Sequence, residues 1–301
     1  MLKIPNQQTR GLLKSGNYMV SIYDDYDELV FSRKFMIVEE LVNVGVSIKR
    51  SRDVKFVNEK QSVDYVVASN SFNFFNPMEN IKTVIIQNNN LNSTISGLKP
   101  QYALGNELIY RYNTESSFWG GNEFLFYENK DIRAANVGVQ FIELKDLYHN
   151  YLFLDVVRKD QPYTYNPDIN GNFLVTVLDR DPRVEADYAM MHFSLLYPED
   201  LGNKSIHVYG NFNNYAITEE TRLAFNPETN NYECSFLLKQ GFYNYKYVVV
   251  DEDGNIDEGA ISGNYWETEN NYKVLVYYRD IGARFDRLIG FGEGSSVNIS
   301  N

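Results

Sequence analysis

The side chains that most often carry chemistry are scarce in this chain and stand far apart. There are three histidines, His149, His192 and His207, and one cysteine, Cys234. Neither a His-Glu-x-x-His pair nor a comparable ligand spacing is present, so the sequence predicts no metal site. A single cysteine cannot form a disulfide within the chain or a cysteine-based zinc cluster. We expect the histidines at solvent-facing strand positions and Cys234 as a small buried strand residue.

Other catalytic patterns are equally weak. The chain has no Gly-x-Ser-x-Gly elbow, and carboxylate pairs such as Asp155 with Asp160 are common in a sequence with 40 acidic residues. The glycine-rich run at residues 290–294 resembles a phosphate-binding loop, but no helical pattern follows it. We therefore predict that the protein is not an enzyme, with no catalytic residue, no cofactor and no metal.

Length and charge exclude further classes. The 301 residues provide material for about two domains. The 28 basic and 40 acidic residues leave a formal net charge of −12, which opposes binding to nucleic acid. No apolar run approaches the roughly 20 residues that a membrane-spanning helix needs. Residues 1–10 show no signal peptide, so either the chain is cytoplasmic or its beginning is absent from this sequence.

The fold class follows from a period-two alternation rich in aromatic and β-branched residues, which is typical of antiparallel strands with one buried face. The 24 tyrosines suit strands whose rings pack on a core while their hydroxyls reach water. We predict an all-β protein of tandem immunoglobulin-like β-sandwiches. The predicted divisions are residues 1–40, a hairpin from a truncated N-terminal β-domain; 41–163, a β-sandwich; 164–290, an immunoglobulin-like sandwich similar to carbohydrate modules; and 291–301, a flexible tail.

Two sequence features could form a binding site. The first is an aromatic cluster, Phe118, Trp119 and Phe124, around the diglycine at residues 120–121. Two glycines would let the chain approach another backbone closely. The cluster is either a corner of the domain core or an anchor that contacts a partner, since aromatic side chains dominate interface energetics.

The second feature is the order of residues 208–215, 241–247 and 268–271, which resembles the glycogen-binding carbohydrate module. The resemblance implies that Tyr215, Lys246 and Asn270 or its neighbour Asn271 occupy the positions that grip glucan in that family. The second tryptophan of the family is replaced here by residues 255–256. Loss of a stacking platform costs about 1–3 kcal/mol by analogy with base stacking, about a fivefold to 150-fold loss in affinity, so glucan binding is doubtful.

Eight short sequence motifs, taken in their order along the chain, show a resemblance that covers more of the chain than the carbohydrate-module motifs do. They lie at residues 13–18, 86–88, 120–124, 168–173, 185–188, 237–245, 268–272 and 276–280. Taken together they resemble the type IX secretion system plug protein family over essentially the whole chain. The resemblance implies a periplasmic, all-β protein that closes the outer-membrane β-barrel translocon when no substrate occupies it. Family members begin with a signal peptide and further strands, and this difference supports a truncated start.

The leading hypothesis is therefore a plug subunit that associates with the outer membrane through a β-barrel translocon. The alternative is a carbohydrate-binding module that uses Tyr215 and Lys246. A third hypothesis, an enzyme, lacks any set of residues to mutate.

Overall fold

A computed structural model describes residues 3–297 and residue 299. Within them nearly all regular structure is β-strand, which confirms the predicted all-β class. None of the described helices is long and apolar enough to cross a membrane. The two short α-helices are α1, Pro77–Asn80, and α2, Pro182–Glu185; single 3₁₀ turns lie at Val54–Phe56, Asn211–Asn213 and Glu219–Thr221.

The first sandwich consists of two antiparallel sheets whose inner faces share one core. That core takes Val63 and Tyr65 from one sheet and Ile85 and Val274 from the other. The first sheet contains β3 (Asn43–Arg50), β4 (Lys60–Ala68), β7 (Tyr102–Leu104), β8 (Glu107–Tyr110) and β9 (Ser117–Trp119); the second contains β5 (Ile81–Gln87), β6 (Asn90–Ser96), β21 (Asn271–Tyr278) and β22 (Arg287–Ser295).

The second sandwich also has two sheets around one core, in which Tyr127 and Tyr247 face Met191 and Phe193. Its first sheet contains β10 (Leu125–Glu128), β14 (Phe173–Val175), β16 (Ser205–Tyr209), β19 (Gly241–Val250) and β20 (Ile256–Asp257); its second contains β11 (Val139–Leu144), β12 (Tyr148–Leu152), β13 (Asp155–Val156), β15 (Tyr188–Leu196), β17 (Ala224–Asn226) and β18 (Asn231–Lys239).

The strand pairing corrects the predicted limits of 41–163 and 164–290. The last two strands pair with β5, since Leu275 lies opposite Val84 and β22 continues that sheet. Strands β10 to β12 belong instead with β15 and β19. The second sandwich is therefore inserted between β9 and β21 of the first. Sequence periodicity marks strands but does not show which distant strands pair, so the polar segment near residue 163 looked like a boundary.

Within the predicted division 1–40, residues 16–37 form the predicted hairpin, β1 (Gly16–Tyr23) with β2 (Leu29–Ile37), as a separate two-stranded sheet. It lies on the outer face of the β5–β21 sheet, where Met36 packs on a small apolar cluster. The hydroxyl of Tyr277 donates to Asn17 at 2.8 Å. Packing on a second layer supplies the support that an isolated hairpin lacks in water.

The predicted flexible tail, residues 291–301, is in part a strand. Residues 291–295 complete β22, whereas 298, 300 and 301 lie outside the described residues. The glycines that resembled a phosphate-binding loop alternate along this strand and face β3. A Cβ on Gly292 would lie 2.4 Å from the Val44 carbonyl oxygen. The glycines are thus explained by close packing against a neighbouring backbone.

The substitution Gly292→Ala tests this packing. The added methyl meets backbone, which cannot move aside as a side chain can, so we expect a loss of about 1–3 kcal/mol in the free energy of unfolding. Gly45→Ala on β3 is the matched control, because a Cβ there meets nothing within 4 Å. Urea denaturation of both variants measures the difference. Equal stability of the two variants would contradict the packing explanation.

Candidate functional site

The chain crosses between the sandwiches twice, at residues 119–124 and 264–270, and the two crossings lie side by side. The amide of Tyr265 donates to the Gly121 carbonyl at 2.8 Å, and the Thr268 hydroxyl donates to the same oxygen at 2.9 Å. A Cβ on Gly120 would lie 2.1 Å from the Tyr265 carbonyl oxygen, so this position requires glycine. The diglycine is therefore the point at which two backbones come into contact.

A buried network of amide side chains fixes the crossings to the first sandwich. Asn270, which is 2% exposed, donates to the Gly120 carbonyl at 2.8 Å and to Gln61 Oε1 at 3.2 Å. Its own oxygen accepts from Asn88 Nδ2 at 2.6 Å. Gln61 in turn receives the Tyr272 hydroxyl at 2.7 Å. Each amide has partners on separate segments, so the network holds those segments in one arrangement.

The turn between β5 and β6 forms a third attachment, because it docks on the second sandwich. The Tyr215 hydroxyl donates to the Asn88 carbonyl at 3.0 Å, and Asn92 Nδ2 donates to the Tyr215 carbonyl at 2.8 Å. Asn90 Nδ2 donates to the Tyr209 hydroxyl at 3.0 Å. Tyr215 has φ of +58°, a conformation that bulky residues rarely adopt, and these contacts hold it there.

A cleft of about 830 Å³ opens at this junction. One wall carries Asn90 and Asn92 of β6, and the other carries Tyr209 and Lys246 of the second sandwich. Lys246 forms an ion pair with Glu258 and lies 5.0 Å above the Phe124 ring. The cleft wall is therefore already occupied by an internal charge pair.

The rim of the cleft carries an exposed aromatic and basic cluster. Trp119 is 46% exposed and meets Phe56 edge-on, with ring centroids 5.3 Å apart. The Lys60 ammonium lies 4.2 Å from the Trp119 ring centroid and 4.4 Å from that of Phe56. Cation–π contacts of this kind hold a tryptophan in place while one side of its ring stays open.

The cleft brings together both sets of residues that the sequence singled out, but it buries all of them except Trp119. Of the predicted partner contacts, only Trp119 is exposed. Phe118 lies in the core of the first sandwich, and Phe124 packs under Lys246. The prediction that Phe118 and Phe124 contact a partner is therefore wrong, because both side chains are buried within the protein.

The predicted glucan residues are also buried. Tyr215 is 1% exposed and, like Lys246 and Asn270, is bonded within the junction. A sugar ring cannot stack on an aromatic face that other side chains cover. Burial at the junction, which the pattern of these residues could not reveal, argues against glucan binding here.

Three carboxyl groups, one on the first crossing and two in the second sandwich, have raised pKa values. Burial raises the pKa of Asp155 to about 6, against the lowering effect of hydrogen bonds from the Tyr247 and Tyr245 hydroxyls at 2.8 and 2.9 Å. Burial also raises the pKa of Asp168 to about 7, although amides of Asn170 and Phe124 donate to it. Burial raises the pKa of Glu123, which accepts from the Tyr163 hydroxyl and the Glu269 amide.

Glu123 is part of the first crossing and Asp168 accepts from the Phe124 amide, whereas Asp155 lies within the second sandwich. None of the three lines the cleft. Among the described residues that line the cleft there is no histidine or cysteine to serve as a base or nucleophile. Across residues 3–297 and 299, no group of three or more His, Cys, Asp or Glu could hold a metal ion. His207, predicted to face solvent, is instead buried, with ring nitrogens 3.0 Å from the Ser205 hydroxyl and 3.3 Å from that of Thr221.

Replacing Asn270 tests the junction network. Asn270→Ala leaves the Asn88 amide, the Gly120 carbonyl and Gln61 short of partners in a buried site. We expect a loss of about 2–4 kcal/mol in the free energy of unfolding. Asn271→Ala, at the adjacent exposed position, is the control and should be close to neutral. A neutral Asn270 variant in urea denaturation would show that the network does not hold the sandwiches.

The pKa of Asp155 gives a pH dependence. An acid whose pKa is raised by folding binds its proton more tightly in the native state, so stability falls as pH rises from about 4 to about 6. At about 1.4 kcal/mol per unit, Asp155 contributes a fall of about 2–3 kcal/mol. Asp155→Asn should remove this part of the slope in urea denaturation between pH 4 and pH 7. Asp160→Asn, at an exposed position, should keep it; an unchanged slope in the Asp155 variant would contradict the assignment.

Comparison with known proteins supports one family. Residues 1–39 match the model for the first domain of the type 9 secretion system plug protein. The crystal structure of a hypothetical protein from Parabacteroides merdae is similar over 97% of this chain and 74% of that protein, with 32% identity and a TM-score of 0.91. No curated protein matches the chain. On the family match and the similarity of the whole fold, this chain belongs to the type IX secretion system plug protein family.

Proposed function

We propose that this protein is the plug subunit of the type IX secretion system, and that it seals the periplasmic end of the outer-membrane translocon pore when no substrate is present. Membership of the plug family relates it to type IX secretion. The sealing of the translocon pore is the part that we propose. In this role the protein acts by its shape and catalyses no reaction.

The observation that carries the proposal is the triple attachment between the sandwiches. Two crossings and the β5–β6 turn connect them at separate points through buried hydrogen bonds. Two domains joined by one linker would move relative to each other by default. Three attachments remove the hinge, so both sandwiches act as one wide body. A body that blocks a pore must keep its width under thermal motion, and this junction meets that need.

Sealing must also be reversible, and the surface suits a reversible contact. The formal charge of −12 keeps the free protein soluble. Trp119 at the cleft rim offers a single large aromatic contact, and tryptophan is one of the side chains enriched at interface hot spots. Its contact with Lys60 leaves it little conformational freedom to lose on binding. We therefore assign Trp119 as the partner contact.

The proposed partner is the outer-membrane β-barrel translocon, and the proposed location is the periplasm at the inner side of that membrane. Both come from the family, whose association with secretion machinery is the coarser statement. We propose that the protein has no enzymatic activity because of the make-up of the cleft. Its charged side chains Lys246 and Glu258 pair with each other, and the carboxyl groups with raised pKa values do not line it.

Depletion of the protein tests the sealing role. If it closes the pore, loss of the protein should let small solutes cross the outer membrane, measured as uptake of a dye that the intact membrane excludes. Re-expression should restore the barrier. Unchanged permeability, together with a translocon that remains closed when isolated without this protein, would overturn the proposal.

The Trp119→Ala variant tests the contact. We expect a loss of at least tenfold in affinity for the isolated translocon, about 1.4 kcal/mol, with stability nearly unchanged. Tyr102→Ala, at an exposed aromatic on another strand of the same sheet, is the matched control. Equal binding by both variants and the unaltered protein would remove Trp119 from the interface without removing the sealing role.

A further inference from the structure

The outer face of the second sandwich carries a group of potential metal ligands far from the cleft. Strand β15 is antiparallel to β18 but parallel to β12, so residues distant in sequence lie in cross-strand rows. In one row Glu143 lies opposite His149, and His149 lies opposite Met190. Two residues further along both strands, and therefore on the same face, Tyr151 lies opposite His192. His149, Met190 and His192 are all half-buried on this face, so water reaches them.

The two imidazoles face each other directly. His149 Nδ1 and His192 Nε2 are 2.8 Å apart. The His192 ring stacks on Tyr151 with centroids 4.0 Å apart and planes 10° apart. Imidazole binds metals in its neutral form.

The 2.8 Å between the two nitrogens is a hydrogen-bond distance, so a shared ion requires both rings to turn. With metal–nitrogen bonds of about 2.0–2.1 Å, two nitrogens on one ion lie about 2.8–3.3 Å apart, and the two rings are already this close. The choice of metal therefore comes from the ligand types. Copper(II) binds nitrogen ligands most tightly among the divalent first-row ions.

Met190 strengthens the choice of copper. Its backbone register opposite His149 and two residues before His192 puts a methionine on the same face of the sheet as the imidazole pair. Thioether is a ligand for copper and not for magnesium or calcium. The group was not visible in the sequence, because 43 residues separate the histidines. It also falls outside clusters of three His, Cys, Asp or Glu, since the third group is a methionine.

We propose that His149 and His192 form a copper(II) site on this face, with Met190 as a neighbouring weak ligand and water completing the coordination. Each ring turns about its Cβ–Cγ bond so that both lone pairs meet at the ion; this torsion is broad in histidine. The nearby Lys145 ammonium, which opposes a cation, is paired with Glu143 at 2.9 Å. The site does not depend on the plug role.

The probe is Cu²⁺ added to the folded, full-length chain with glycine as a competing chelator. We expect one Cu²⁺ per chain, with hyperfine splitting from two imidazole nitrogens in electron paramagnetic resonance. Ni²⁺ and Zn²⁺ should bind more weakly, as the general order of affinity among divalent first-row ions predicts. Binding of Zn²⁺ more tightly than Cu²⁺ would overturn the copper assignment.

Variants locate the site. His149→Asn and His192→Asn should each weaken Cu²⁺ binding about 100-fold or more, beyond the loss usual for a residue that only supports a ligand. Met190→Leu should weaken it less and keep the stoichiometry. Ser194→Asn, on the same face two residues after His192, is the matched control and should bind like the unaltered protein.

A measurement on the unaltered protein covers the case in which a variant does not fold. Bound Cu²⁺ should broaden the imidazole resonances of His149 and His192 and spare those of buried His207. Equal broadening of all three, or binding unchanged in the His149→Asn/His192→Asn double variant, would overturn the site. Absence of tight binding would show that the two histidines form only a hydrogen bond.

Discussion

The arrangement of this protein depends on the requirement that buried amide groups find hydrogen-bond partners. At the junction, Asn270, Asn88 and Gln61 are out of water and can be satisfied only when the two crossings and the β5–β6 turn meet in register. A small rotation of one sandwich would leave several polar atoms without partners, at a cost of about 1–3 kcal/mol each. Polar groups thus give the junction a specificity that apolar packing alone does not supply.

The insertion of one sandwich into the other makes this junction possible. Because the chain leaves after β9 and returns before β21, both ends of the inserted sandwich are anchored in the same region of the host. Gly120 lets the outgoing and returning backbones touch. Two carboxyl groups with raised pKa values add hydrogen bonds here: Glu123 on the outgoing segment accepts from the Glu269 amide of the returning segment, and Asp168 accepts from the Phe124 amide. The two sandwiches are thereby joined as one body, which is what the proposed sealing role requires.

Much of this could be predicted from the sequence. Alternation along the strands gave the all-β class, and the order of short phrases gave the family. The pattern also selected Tyr215, Lys246 and Asn270, which do meet in one place. Their burial could not be predicted, because it depends on the β5–β6 turn of the other sandwich. The domain limits and the histidine pair were missed for one reason: pairing between distant strands leaves no periodic signal.

The rigidity of the junction can be measured directly by the distance between spin labels on the two sandwiches. Suitable sites are Tyr102 and Phe225, both exposed, while burial raises the pKa of the Cys234 thiol to about 12 and keeps it unreactive. Electron–electron double resonance should give one narrow distance distribution that broadens in Asn270→Ala. A broad or two-peaked distribution in the protein without that substitution would contradict the account, because the sandwiches would then move independently.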